Sequence, residues 1–330
     1  NFHKFGKANI SIKDMEQQRS RLREKIDAAQ SKSQSTTTAK PKKKVKADKL
    51  HIGDKVRVLS PAMGGGFGGK IDLVTEPVCA LLAMKTGHPV KIVYTRREDI
   101  QSGTTRHAER IYVRTGVKKD GHITACDYKV YLSAGAQTGA TMSVAWAAGG
   151  KFFKIFSIPN MHYHAIPVYT NRSIAGAMRG FGSPQLFFAL NNQFNQIANR
   201  LGMDFCTFEK MNMHDPKTCD QNGEKLGNLR IKDCVEEGKR LFEWEEAVQE
   251  QKRSAKENGR YRIGVGMAAA PHGSSLFGIM PDTCGAKSVG ECATVPSAAA
   301  VCNAVSNATG IYFHKLPIRK EDILCQNRQL

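Results

Sequence analysis

Gly64-Gly65-Gly66-Phe67-Gly68-Gly69-Lys70 places five glycines in seven residues, after the strand-like run Lys55-Val56-Arg57-Val58-Leu59 and before a helix-like run. A loop without side chains lets backbone N–H groups approach an anionic or oxo ligand, at an entropic cost that a plain linker has no reason to carry. The stretch formally matches G-x-G-x-x-G, but the next strand-like run ends at Thr95-Arg96-Arg97 without the acid that would hold a ribose. A phosphate-binding P-loop fits less well, because Lys70 is followed by Ile71 rather than Ser or Thr. A structural glycine turn is the plain alternative, and the loop alone leaves it open.

Outward from that loop, residues 76–86 read as a helix with Pro77 in the first turn and Gly87 as its stop, leading to a strand at 89–95. Residues 110–117 and 123–132 alternate apolar and polar around Lys119-Asp120-Gly121, a β-hairpin signal. Ser183-Pro184 caps the clearest helix, with Leu186, Leu190, Phe194, Ile197 and Leu201 on one face and Gly202 at its end. Asp204 starts a shorter helix, 231–251 reads as another, 261–270 as a strand, and 296–308 as a small-residue helix stopped by Gly310. Strands and helices mixed without strict alternation give an α+β fold class.

The bulk numbers bound the class. A chain of 330 residues with 41% hydrophobic residues can build two or three domains around a buried core. It holds no apolar run of about 18 residues, and its first 13 residues lack an apolar signal-peptide stretch, so a cytoplasmic protein with no membrane contact is expected. The nine cysteines lack any C-x-x-C spacing, and reduced thiols are expected. Among the ten histidines, His162 and His164 share one strand face but have no third partner, so a structural role is expected.

The net charge of +19 is unevenly spread. Residues 1–58 carry 16 Lys+Arg against 6 Asp+Glu, and the remaining 272 residues carry 33 against 24. Residues 1–30 read as an exposed helix with a thin apolar stripe of Met15, Leu22, Ile26 and Ala29, and 31–50 as a disordered basic linker. Such an arm suits nucleic acid contact by residues 1–50, with a solvated tail as the alternative. With Leu50-His51-Ile52-Gly53-Asp54-Lys55-Val56-Arg57-Val58, it resembles the segment of certain MutS-like ATPases that joins a helical stalk to a small β domain.

Two further loops offer chemistry. In Ala175-Gly176-Ala177-Met178-Arg179-Gly180-Phe181-Gly182-Ser183-Pro184-Gln185, small residues let the chain pass close to a ligand, Arg179 brings charge and Phe181 a flat apolar face. Its alternative is a helix-entry turn with Arg179 in solvent. Lys287-Ser288-Val289-Gly290-Glu291 presents one carboxylate before an almost uncharged stretch. Glu291 is then either an acid at a helix N-terminus or a general base in a dry pocket.

The three loops occur in the order found in the molybdopterin-binding subunits of the xanthine dehydrogenase and aldehyde oxidase family, which this chain resembles over about residues 56–328. The runs Glu76 to Asp99, Ser157-Ile158-Pro159-Asn160 and Asn307 to Ile318 carry the likeness further. The resemblance implies an incomplete molybdopterin-binding domain of molybdenum hydroxylase type, with its first part at 51–278 and its C-terminal part at 279–330. It also implies a molybdenum–molybdopterin cofactor, the cytosine dinucleotide form being one option, with iron–sulfur clusters and FAD only on partner subunits. The implied reaction is hydroxylation of a small aromatic heterocycle or an aldehyde, with water as the oxygen source.

Residue by residue, the resemblance makes Glu291 the catalytic base. It gives Gly65, Gly66, Phe67, Gly68, Gly69, Arg179 and Gly290 to the cofactor, and Phe181 to the substrate ring. Phe67 and Arg179 come near the molybdenum through their backbones. Two positions depart from the xanthine-type pattern: Ile71 stands where a second glutamate is placed, and Ala147 where a substrate arginine is placed. A purine held by those groups is not expected. The chain also passes directly from Gly278 to Ile279, where the family has a long region with further cofactor loops. The competing expectation is therefore a non-catalytic truncated or fused remnant with a basic arm.

Overall fold

Pro77 in the first turn and Gly87 at a left-handed φ of 67° bound α1 (Glu76–Thr86) as its sequence predicts. The computed structural model describes residues 62–257, 259, 261–272 and 290–326. The expected N-terminal helix, basic linker and first strand, and the boundary at 278/279, lie outside the described residues. After α1 the chain runs extended but forms no strand at 89–95, because no described neighbour supplies a ladder. Thr95 and Glu98 instead make a reciprocal capping box that starts α2 (Arg96–Ser102).

The hairpin forms where alternation placed it. β1 (Glu109–Val117) pairs antiparallel with β2 (Ile123–Gly135), and Gly121 turns the chain at φ 93°. Every second residue of β2 from Cys126 to Ala134 is buried, which puts Tyr128, Val130 and Leu132 into the core. β2 also pairs in parallel with β3 (Asn160–Tyr169), giving a three-stranded mixed sheet in the order β1-β2-β3. Parallel neighbours need a crossover, and α3 (Thr141–Phe152) supplies it. Small residues hid this helix in the sequence. They let it lie flat on the sheet: a Cβ at Gly149 would sit 2.7 Å from the Tyr163 ring.

α4 (Ser183–Leu201) is the central helix and buries Leu186, Phe187, Leu190 and Phe194. Its N-cap is Gly182 at φ 85° and not Ser183, whose hydroxyl is engaged elsewhere. Phe194 meets Phe156 and Phe208 edge-on at 5.0 and 6.0 Å between ring centres, tying α4 to α5 (Phe205–Asn212), which Asp204 caps as expected. The single helix expected at 231–251 is two, α6 (Ile231–Phe242) and α7 (Trp244–Glu257). Glu243 breaks them at φ 53°, which lets Trp244 turn inward and donate its ring N–H to Asp204 at 2.9 Å.

Residues 261–270 are extended but are not a strand. Their backbone is satisfied by side-chain amides instead of a β partner: Asn191 bonds both backbone groups of Ala269, Asn303 donates to the Met267 carbonyl, and Asn307 accepts from the Val265 N–H. Asn303 and Asn307 belong to α8 (Thr294–Thr309), and the segment lies directly on that helix. A Cβ at Gly264 or Gly266 would meet α8 backbone oxygens at 2.0 and 2.3 Å, which explains the run of small residues on both sides. α9 (Lys320–Gln326) closes the described chain of an α+β fold.

Candidate functional site

The entrances of α4 and α8 and the glycine loop converge at one place. In the glycine loop, Phe67 takes φ 48° and Gly68 φ 98°. A Cβ on Gly68 would lie 2.4 Å from the Ala177 carbonyl oxygen, so only glycine lets the first loop rest on the second. The Phe67 ring sits under the Arg179 guanidinium, 5.1 Å from ring centre to Cζ, a cation–π contact. The same ring would be 2.9 Å from a Cβ at Gly290, so the third loop also presses on it. Gly64 and Gly69 have no such constraint, and Gly69 only closes a turn onto the Gly66 carbonyl at 2.9 Å.

Arg179 does not point into solvent. Its Nε donates to the Gly290 carbonyl at 2.7 Å, and a terminal nitrogen reaches the same oxygen. This fork fixes the second loop to the third. Phe181 occupies the same turn, half-buried, at φ 46°, with its N–H donating to the Met178 carbonyl at 2.8 Å.

Glu291 does not cap its own helix. The N-cap of α8 is Ala293, without a side-chain bond, and the Glu291 carboxylate turns toward the second loop. There its Oε2 accepts the Gly180 N–H at 2.9 Å and lies 3.3 Å from His272 Nε2. The helix-terminal alternative is thereby set aside in favour of a carboxylate held between elements. Gly65, Gly66, Phe67, Gly68, Gly69, Arg179, Phe181, Gly290 and Glu291 thus lie on three adjoining loops, with the glycine loop open to solvent and Glu291 half-buried.

Three residues that the sequence did not single out, Lys151, Arg106 and His272, complete the site together with Gln185 at the end of the second loop. Lys151, on α3, donates to Ser183 Oγ at 2.8 Å and to the Gly180 carbonyl at 3.4 Å. Burial brings its ammonium down to about 8, against the opposing pull of Glu291. Arg106 donates to the Arg179 carbonyl at 2.6 Å and to Gln185 Oε1 at 3.4 Å, and Gln185 in turn donates to the His107 carbonyl at 3.2 Å. His272 ends the strap of residues 261–272 that α8 and Asn191 position. Burial lowers its pKa, Lys151 adds to that, and Glu291 opposes it. The one sequence signal was Lys151, a single cation in the Ala/Gly-rich run from Val144 to Phe153.

Around this centre, burial shifts two more groups. Glu109 rises to about 8, opposed by Arg106, and His107 falls to about 4, with Arg106 adding to the effect. Asp72 Oδ2 and His272 Nδ1 are buried with no hydrogen-bond partner among the described residues. A Cβ at Gly176 would lie 3.0 Å from that Asp72 oxygen, so this oxygen adjoins the second loop. Among the described residues no group of three or more His, Cys, Asp and Glu converges on a metal-sized point, and His162 pairs with Asp127 at 2.8 Å.

The profile of the molybdopterin cofactor-binding domain matches residues 30–213. The xanthine dehydrogenase molybdenum-binding subunit of Escherichia coli O157:H7 is 33% identical over 236 residues, covering 70% of this chain and 31% of the relative. The nicotinate dehydrogenase large molybdopterin subunit of Eubacterium barkeri is 36% identical over 174 residues, covering 53% and 41%. The solved aldehyde oxidoreductase of Desulfovibrio gigas superposes with a TM-score of 0.56 at 26% identity, over 62% of this chain and 22% of that one. Quinoline 2-oxidoreductase of Pseudomonas putida 86 shares the fold, with a TM-score of 0.57 at 23% identity over 64% of this chain and 27% of that one. This chain therefore spans about a third of the length of such relatives.

Proposed function

The chain belongs to the molybdopterin cofactor-binding domain family, and from that premise we propose that it forms part of a molybdenum-cofactor site that hydroxylates an N-heterocycle or an aldehyde with water as the oxygen source. It would do so as one subunit of a complex whose partner chains carry iron–sulfur clusters and FAD. The observation that carries this reading is the Glu291 carboxylate, held by the Gly180 N–H at 2.9 Å where all three loops meet.

The residues present fit the cofactor. The glycine loop offers backbone N–H groups at Gly65, Gly66, Gly68 and Gly69, and Asp72 Oδ2 and His272 Nδ1, without a partner among the described residues, are polar atoms that a pterin's hydrogen-bonding groups can satisfy. Gly290 and Arg179 form a closed wall beside Phe67. When bound, the cofactor supplies the two-electron redox chemistry and the oxygen transfer.

The chain's own part is positioning and proton transfer. Oε2 of Glu291 is engaged by Gly180 and faces His272, which leaves Oε1 to take the proton. Such a base contributes typically about 10²–10⁴ in rate. Phe181 gives a flat apolar face to a planar substrate, and backbone N–H groups of Phe67 and Gly68 stabilise developing negative charge. Ile71 and Ala147 bring no charge to the site, which favours a substrate other than a purine held by a glutamate and an arginine.

Metal and pterin analysis of the purified chain with its co-purifying partners tests the reading. Stoichiometric molybdenum is expected, with Glu291→Gln keeping the cofactor and losing turnover. A folded protein free of molybdenum and pterin refutes it, and retained turnover in Glu291→Gln places the base elsewhere.

A further inference from the structure

The peptide unit joining Arg179 to Gly180 is held at both ends by charge. Its carbonyl oxygen accepts from Arg106 Nη2 at 2.6 Å, and its N–H donates to Glu291 Oε2 at 2.9 Å. A guanidinium on the oxygen of an amide withdraws electron density from its nitrogen and makes the N–H a stronger donor, so the two bonds reinforce each other. We propose that Arg106 is a positioning residue for Glu291, acting through the Arg179–Gly180 peptide rather than by contact, and that this relay aims the carboxylate.

The surroundings are built for that role. Arg106 is fixed by its second bond, to Gln185, which is in turn anchored on the His107 carbonyl. Gly180 sits at φ 93°, and a Cβ there would lie 2.7 Å from the Pro184 ring, so the peptide's orientation is set by a glycine that nothing larger replaces. The Gly180 carbonyl accepts from Lys151, so both of the residue's backbone groups face side-chain charge. The charged and titratable groups facing this relay are Glu109 on β1, His107, Lys151 on α3, His272 on the strap and Glu291 itself.

The inference rests on the proposed role of Glu291 only for the purpose of the relay; its test needs no turnover. Arg179–Gly180 is the only Arg-Gly pair in the sequence, so the full chain labelled with carbonyl-¹³C arginine and ¹⁵N glycine gives one amide correlation, that of Gly180. A downfield Gly180 proton is expected in the wild type, moved upfield by Glu291→Gln and by Arg106→Gln and largely restored in Arg106→Lys. In a Glu291→Gln background, Arg106→Gln should move it much less than it does alone. An unchanged Gly180 signal in Arg106→Gln, or the same displacement in both backgrounds, overturns the relay. Should Arg106→Gln fail to fold, Arg106→Met, which also removes the cation, against wild type in both backgrounds carries the comparison by the same criterion. If the assignment of Glu291 as base fails instead, turnover survives in Glu291→Gln while the amide result stands.

Discussion

Replacing Asn191 with leucine should loosen the strap that carries His272. Asn191 is fully buried on α4, and its side chain donates to the Ala269 carbonyl at 3.1 Å and accepts the Ala269 N–H at 2.9 Å. Leucine fills nearly the same volume but satisfies neither group, and Ala269 is itself buried. Each orphaned backbone group costs about 1–3 kcal/mol, while the added apolar burial returns about 1–2 kcal/mol, so the net loss for the two groups is about 1–4 kcal/mol. At about 2–4 °C per kcal/mol for a domain of this size, the melting temperature should fall by roughly 2–16 °C. Urea unfolding gives the free energy, and hydrogen exchange should show Ala269 losing protection ahead of the β2 amides. Wild-type stability with Ala269 still protected would refute the claim that side-chain amides stand in for a β partner along residues 261–270.

The glycine loop and the pH response give two further expectations. In Gly68→Ala a Cβ would be forced to within 2.4 Å of the Ala177 oxygen at φ 98°, a strain of about 1–3 kcal/mol in an open loop. The melting temperature should fall by a few degrees while molybdenum per chain falls sharply, and full loading would show that the loop contact does not shape the cofactor site. Glu109 has a folded pKa raised to about 8 from 4.5, so the folded state keeps a proton that the unfolded state releases, and stability falls as pH rises from about 4.5 to 8. His107, lowered to about 4 from 6.5, acts oppositely and adds stability as pH rises from about 4 to 6.5. Glu109→Gln should therefore leave a curve that rises through the His107 window and no longer declines toward pH 8, as read by melting temperature against pH. A decline as steep as the wild type's would clear Glu109 of the effect.

Sequence by itself settled whatever depends on near neighbours along the chain. The β1–β2 hairpin, the stops at Gly87, Gly202 and Gly310, and the Asp204 cap all follow from alternation or from a residue's own φ preference, which acts within a few positions. The order of three motifs also indicated the family that the profile match supports.

Only the tertiary structure decided what depends on distant partners. Residues 89–95 and 261–270 have the look of strands, but a strand exists through its neighbour, and the second segment finds its partners in Asn191, Asn303 and Asn307 instead. α3 was hidden because its small residues carry no periodic signal, although they are what lets it lie against Tyr163. Where the Glu291 carboxylate points was not legible in the sequence. Direction came from Gly180, 111 residues away, whose N–H takes the carboxylate that its own helix start leaves alone. Arg106, Lys151 and His272 join the same centre for the same reason: a buried polar group is placed by the fold that surrounds it, and beyond the lone cation at Lys151 no local pattern records that placement.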